Sequence, residues 1–310
     1  MNWEQARKLL HLHREDTAGR PLGEGPAAFP AAIPGGEEPP VARAGSLCVA
    51  SGKGGTGKSV FTASIAARLS HGGRTLIVDA DMGIGNAHIL QGVAPERSFV
   101  ELVAGTAAPR EVVAPCAEGL DLIAAGSGVS RMAELSPFEM HRVAEALEQL
   151  ETDYRFLVVD SAAGVSNQTV SFAAATDLVV VVTTPAVTAM TDAYAFIKVL
   201  LRSNPAADPL LVVNRAHSWE EARSVVDRMD TVCQRFLSRS PRWIGWVPDD
   251  DAVGRAVNAR SAVVGYDPTA PAARALEHLS GVILQEFERV AFAGLGRTLL
   301  RRVSYSPKLA

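Results

Sequence analysis

The chain is short of cysteine, of net positive charge and of long apolar runs, and each shortage closes off a class of function. Its three cysteines, Cys48, Cys116 and Cys233, are far apart and form no CxxC pair. Such spacing offers no thiolate metal or cluster site; it fits three small buried hydrophobes in a reducing cytosol. The net charge of −4 and pI near 6 give no global basic field, so nucleic acid is not an expected partner. No apolar stretch reaches the ~18–20 residues of a membrane-spanning helix. The longest, LVVVVT from Leu178, reads as a strand. No apolar run follows MNWEQARK at the N-terminus, so a signal peptide is not expected and the chain is placed in the cytoplasm. His11 and His13 lack a nearby third ligand and read as surface residues.

What is present is ordinary globular composition, 47% hydrophobic and 21% charged over 310 residues. That length buries an ample core in one large α/β domain or two small ones. Residues 1–14, MNWEQARKLLHLHR, place Trp3, Ala6, Leu9, Leu10 and Leu12 near helical spacing and predict a short amphipathic helix. Residues 15–44 hold six prolines and five glycines and read as a disordered linker. From Ser46 the pattern changes. SLCVAS, TLIVD, LDLIAA, FLVVD, LVVVVT, LLVVN and WIGWV are short continuous apolar runs, the mark of strands buried on both faces. Helical patterns separate most of them, at 58–71, 137–150, 188–202 and 219–236, and another runs over 271–290. This alternation predicts a single doubly wound α/β domain over 45–290, with a mostly parallel sheet of seven or eight strands and helices on both faces.

The first strand runs into GKGGTGKS, Gly52 to Ser59. Gly-x4-Gly-Lys-Ser between a strand and a helix is the setting a phosphate-binding P-loop requires. Its glycines let the backbone wrap close to phosphate oxygens, and the following helix adds its positive N-terminal end. The candidate ATP-binding set is Gly52, Lys53, Gly54, Gly55, Thr56, Gly57, Lys58, Ser59 and Val60. Lys58 should reach the β- and γ-phosphates, and the Ser59 hydroxyl should hold Mg²⁺. Two apolar strands end in acids, Asp79 with Asp81 in TLIVDAD, and Asp160 in FLVVDSAAG, where open α/β sheets bind ligands. Asp160 suits Mg²⁺, and Gly164 can offer a backbone N–H to the γ-phosphate. Asn214 ends LLVVN and carries both a donor and an acceptor that match an adenine edge.

GKGGTGKS resembles the deviant P-loop KGGxGK[ST] of the MinD/ParA family of ATPases. The resemblance implies that Lys53 reaches across a homodimer interface to the partner's ATP, that Asp79 and Asp81 form the switch segment with Asp81 orienting the attacking water, and that hydrolysis is slow and dimerisation-dependent. It also implies that Arg215, beside Asn214, and Pro248 and Asp250, in GWVPDDDAV, rim the adenine. The acids at 249–251 read equally well as an N-cap cluster. Within the family, TTPAVTAMTDAYAFIKVL, DADMGIGNAHILQG and DPTAPAARALEHL are similar to the flagellar subgroup FlhG, also called FleN or YlxH. Ala186 replaces that group's usual acid, His88 its usual Asp, and DSAAG its DTGAG.

WEQARKLL resembles the subgroup's DQAxxLR segment, which stimulates the SRP-like GTPase FlhF. Glu4 stands for Asp, Gln5, Ala6 and Leu9 match, and Leu10 stands where Arg is usual. The implied function is control of flagellar number and placement, through FlhF and a flagellar transcription regulator or C-ring protein. A MinD-like division-site regulator and a ParA-like DNA-segregation ATPase are the alternatives. Residues 291–310 form a basic tail in which Phe292, Leu295, Leu299 and Val303 repeat at helical spacing. Such a segment can lie on the inner face of the cytoplasmic membrane in the ATP state, and the family places its membrane-targeting helix at this end. The other reading is a helix docked on its own domain; Gly294 and Gly296 weaken it as a free helix.

Overall fold

The computed structural model describes residues 43–126 and 134–304. The expected N-terminal helix and the linker to residue 42 lie outside the described residues. The strands are β1 (Gly45–Ser51), β2 (Thr75–Ala80), β3 (Val113–Ala117), β4 (Leu120–Ile123), β5 (Phe156–Ala163), β6 (Leu178–Thr183), β7 (Leu210–Ala216) and β8 (Arg242–Pro248). They form one eight-stranded sheet in the order β3-β4-β2-β5-β1-β6-β7-β8. Every neighbouring pair is parallel except β3 with β4. β1 and β6 are buried along their whole length, as their unbroken apolar runs require. Edge strand β3, VAPCA, has no such run and is half exposed, so no apolar signal marked it.

The helices are α1 (Lys58–Leu69), α2 (Ala87–Leu90), α3 (Phe99–Ala104), α4 (Pro137–Leu150), α5 (Asn167–Ala175), α6 (Val187–Ser203), α7 (Trp219–Leu237), α8 (Asp251–Asn258), α9 (Val263–Tyr266), α10 (Pro271–Phe287) and α11 (Leu295–Ser304). One core lies between the sheet and α4 to α7, with α11 added to that layer. The other lies under α1 and α8 to α10. Several helices start where a local side chain satisfies their free N–H groups. Ser136 with Glu139 makes a capping box on α4, Ser98 with Glu101 one on α3, and Ser166 and Ser218 cap α5 and α7. Helix α1 has no side-chain cap, as is also true of α2, α6, α9 and α10; its N-cap is Gly57, in left-handed conformation at φ 88°. The N–H groups of its first turn are left for something else.

The C-terminal tail is part of this fold. Leu295 and Leu299, expected to face lipid, are fully buried against the domain, and Val303 packs at the edge of the same cluster. Phe292 stands edge-on to Phe287 and keeps 37% of its surface exposed. Gly296 explains the closeness of the packing. A Cβ there would fall 2.1 Å from the Glu148 backbone nitrogen, so glycine lets α11 lie directly on the α4 backbone. The boundary expected at residue 290 therefore separates no free segment in this state. Among the described residues no helix is long and apolar enough to cross a membrane. Leu299→Ala should lower stability by about 2–4 kcal/mol, as a large-to-small change in a filled core does. A urea midpoint unchanged from wild type would show that α11 is not docked in solution.

Candidate functional site

The central strand β1 delivers the P-loop to the carboxyl end of the sheet, at the place where the chain winds toward β2 on one side and β6 on the other. Gly54 and Gly55 stand open, with nothing within 4 Å of where a Cβ would sit. Gly57 is tightly enclosed: a Cβ there would lie 2.1 Å from Asn214 Nδ2. Gly52 packs as closely on α6, where a Cβ would overlap the Asp192 carbonyl at 2.0 Å. The loop is thus open toward ligand and clamped from behind. Thr56 Oγ1 is buried without a hydrogen-bond partner, as is Thr183 Oγ1 at the end of β6.

Lys58 lies 3.1 Å from Asp160 Oδ1, and both are buried. Thr62, one turn further along α1, sets its hydroxyl 3.2 Å from the same oxygen and 3.0 Å from the Lys58 carbonyl. Asp79 is the register partner of Asp160 on the next strand. It is fully buried, and its two oxygens accept the N–H groups of Asp81 (3.3 Å) and Ala87 (3.1 Å). Burial, followed by the nearby Asp160 charge, pushes its pKa up to about 8. Gly85 belongs to the loop these bonds hold: a Cβ there would fall 2.4 Å from the Asp79 carboxyl. Asp81 is half-buried at the loop's start, and Ser59 is half-buried on the first turn of α1.

Other expected residues are placed differently. Asn214 Nδ2 donates one of its two N–H groups to the Thr56 carbonyl at 2.7 Å, tying the P-loop to β7. Asp250 caps two helices at once, accepting from the Ala252 N–H at 2.8 Å and the Ala272 N–H at 3.0 Å. The capping reading of that acid therefore describes this state. Gly164, at φ 92°, donates its N–H to the Ser51 carbonyl at 3.0 Å instead of presenting it to a phosphate. The register slip between β1 and β5 brings the two groups together there. Lys53 rests on α6, its Nζ 2.9 Å from Thr188 Oγ1. Arg215 holds φ 59°, rare for a side chain of this kind, and pairs with Asp249 at 3.1 Å.

A cavity of about 330 Å³ opens beside the P-loop, lined by Lys53, Thr56, Thr184, Arg215, Glu221 and Asp249 among others. Thr62 and Glu221 carried no sequence signal, and Thr184 and Thr188 lie in the TTPAVTAM stretch with nothing local to single them out, because only the tertiary fold sets them beside the loop. Cys48 and Cys233 are buried, as expected, and Cys116 is half-buried on β3; burial drives each thiol pKa up to about 12.

The open glycine cradle, the uncapped start of α1 and a buried lysine form an anion site. The family model for the CobQ/CobB/MinD/ParA nucleotide binding domain matches residues 47–263. The chain belongs to the MinD/ParA family of P-loop ATPases. It is 33% identical over 232 residues to the antiactivator FleN of Pseudomonas aeruginosa, covering 74% of this chain and 83% of the relative. It is 29% identical over 250 residues to the flagellum site-determining protein YlxH of Helicobacter pylori, covering 78% and 82%. In fold it is similar to MinD of Pyrococcus horikoshii, solved with Mg-ADP, at a TM-score of 0.67 and 22% identity over 77% of this chain and 96% of that one.

The family uses ATP and Mg²⁺, and the residues present fit both. Lys58 and the P-loop N–H groups would hold the phosphates, with the Thr56 hydroxyl free to join them. Ser59 and Asp160 would hold Mg²⁺, which neutralises phosphate charge when bound. Asp160 keeps Lys58 in place meanwhile, and Asp79 fixes the loop that starts at Asp81.

The raised pKa of Asp79 has a stability consequence. The folded state binds the proton more tightly than the unfolded chain, where Asp titrates near 3.8. The contribution is therefore full below about pH 4 and is lost as pH rises toward 8. Asp79→Asn should flatten this part of the profile. Its urea midpoint should fall less than that of wild type between pH 6 and pH 8, and equal slopes would show that Asp79 titrates normally.

Proposed function

We propose that the protein is an ATP-driven dimerising switch that regulates flagellar number and placement, in the manner of the FlhG, FleN and YlxH group. The observation that carries this reading is Lys53. Its ammonium stands at the outer rim of the P-loop with only the neutral Thr188 hydroxyl as partner, and no ion pair includes it among the described residues. A cation so weakly held can move to a phosphate across an interface. Two exposed apolar side chains on neighbouring loops support a face that another copy covers: Ile84, 75% exposed after β2, and Val165, 46% exposed after β5.

In this reading ATP binds at Lys58 and Ser59, two ATP-bound chains pair face to face, and Asp81 orients the water in a slow hydrolysis that resets the switch. The names of the FleN and YlxH relatives support the flagellar role. Glu4, Gln5, Ala6 and Leu9 would engage an FlhF-like GTPase. A flagellar transcription regulator or C-ring protein would read the dimer. Contact with the cytoplasmic membrane requires α11 to leave its place, because Leu295 and Leu299 are buried in this state. A MinD-like division-site role would use the same ATPase cycle; the WEQARKLL segment favours the flagellar role.

Lys58→Ala should weaken ATP binding by roughly 10–100-fold, the worth of a lost charge-assisted hydrogen bond or two. It should also abolish ATP-driven dimerisation in light scattering. Lys53→Ala should bind ATP normally but stay monomeric; ATP-driven dimers of that variant would remove the role given to Lys53. For the partner, a peptide covering residues 1–20 should accelerate GTP turnover by the cognate FlhF, and Gln5→Ala should abolish the effect. Absence of stimulation by the wild-type peptide would end the FlhF assignment and leave the ATPase intact.

A further inference from the structure

Three charged side chains converge on the residues that lead into α11, at the end of the sheet opposite the P-loop. Arg43 Nη1 donates to the Ala293 carbonyl at 3.1 Å and lies 3.7 Å from Glu151 Oε1. Glu151 Oε2 accepts the Gly296 N–H, in the first turn of α11, at 3.1 Å. Asp177 Oδ1 accepts the Ala293 N–H at 2.9 Å, while its other oxygen takes the Ser46 N–H at the start of β1. Gly294 is threaded between them at φ 84°, where a Cβ would fall 2.5 Å from Glu151 Oε1 and 2.6 Å from Arg43 Nη1. Further along, Arg302 reaches the last residue of α6, donating to Ser203 Oγ at 3.1 Å.

Glu151 is 2% exposed. A carboxylate taken that far from water needs charged or N–H partners, and its partners are one backbone N–H and Arg43. Arg43 is also where residues 1–42 join the domain. One buried acid therefore touches both the junction to the N-terminal segment and the start of the C-terminal helix. Removing Arg43 leaves Glu151 undercompensated and takes away the Ala293 carbonyl's donor in the same step.

We propose that Arg43 and Glu151 form a latch on α11, so that displacing residue 43 releases the C-terminal helix and uncovers the apolar faces of α11 and of α4 beneath it. Force or partner contact on the N-terminal segment would then be felt at the other terminus, about 250 residues away in sequence. Gly296 lets the helix seat directly on the α4 backbone, where a Cβ would lie 2.1 Å from the Glu148 nitrogen.

Hydrogen exchange on the full chain tests this. In Arg43→Ala the amides of residues 295–303 should exchange at least ten-fold faster, with β1 and β5 unchanged. Arg43→Lys should restore part of the protection. Glu151→Gln keeps an acceptor for the Gly296 N–H and should give a smaller rise, and combining it with Arg43→Ala should add little. Unchanged protection of α11 in Arg43→Ala overturns the latch; so does an equal loss in β1 and β5, which would mean general loosening. The same samples are floated with vesicles containing anionic phosphatidylglycerol. Faster α11 exchange with greater capture supports both the latch and the membrane part of the proposed function. Faster exchange without capture supports the latch and removes membrane binding by α11.

Discussion

The buried pair of Lys58 and Asp160 is the interaction the site depends on. Side-chain exposures of 9% and 2% put both charges where either alone would be costly. The pair joins the start of α1 to β5 and so fixes the P-loop against that strand. Two carboxylates stand beside one ammonium in a buried site, and burial together with the Asp160 charge raises the Asp79 pKa. Mg²⁺ and phosphates, when bound, would take Asp160 and Lys58 as partners.

Backbone does much of the positioning around that pair. Glycines at 52 and 57 let α6 and Asn214 press on the P-loop from behind, while those at 54 and 55 leave it open in front. Asn214 helps to shape the cradle, because one of its amide N–H groups holds the Thr56 carbonyl. Gly85 likewise brings the loop after β2 down onto the Asp79 carboxyl, and so Asp81 starts from a fixed point. The contacts at Gly52, Thr56 and Gly57 are non-local and tie the P-loop to α6 and β7, while those of Asp79 stay within its own loop.

The far end of the sheet follows the same logic with a different outcome. Glu151, Asp177 and Arg43 bind the strand of chain that precedes α11, and the leucines of α11 then fill the gap against α4 and α5. An amphipathic pattern states only that one face seeks an apolar surface. Lipid and the flank of the same domain satisfy it equally well.

The sequence by itself determined the alternation of strands and helices, the P-loop and the acids at Asp79 and Asp160. Those signals are local: a continuous apolar run, a helical period, a glycine spacing. Strand β3 escaped because a half-exposed edge strand needs no apolar run. Tertiary structure alone decided that Thr62 meets Asp160, that Thr188 holds Lys53, that Asp250 caps two helices and that Leu295 and Leu299 face inward. Each of these joins residues distant in the chain or chooses between partners of equal chemistry. Only the packed fold sets the distances that make that choice.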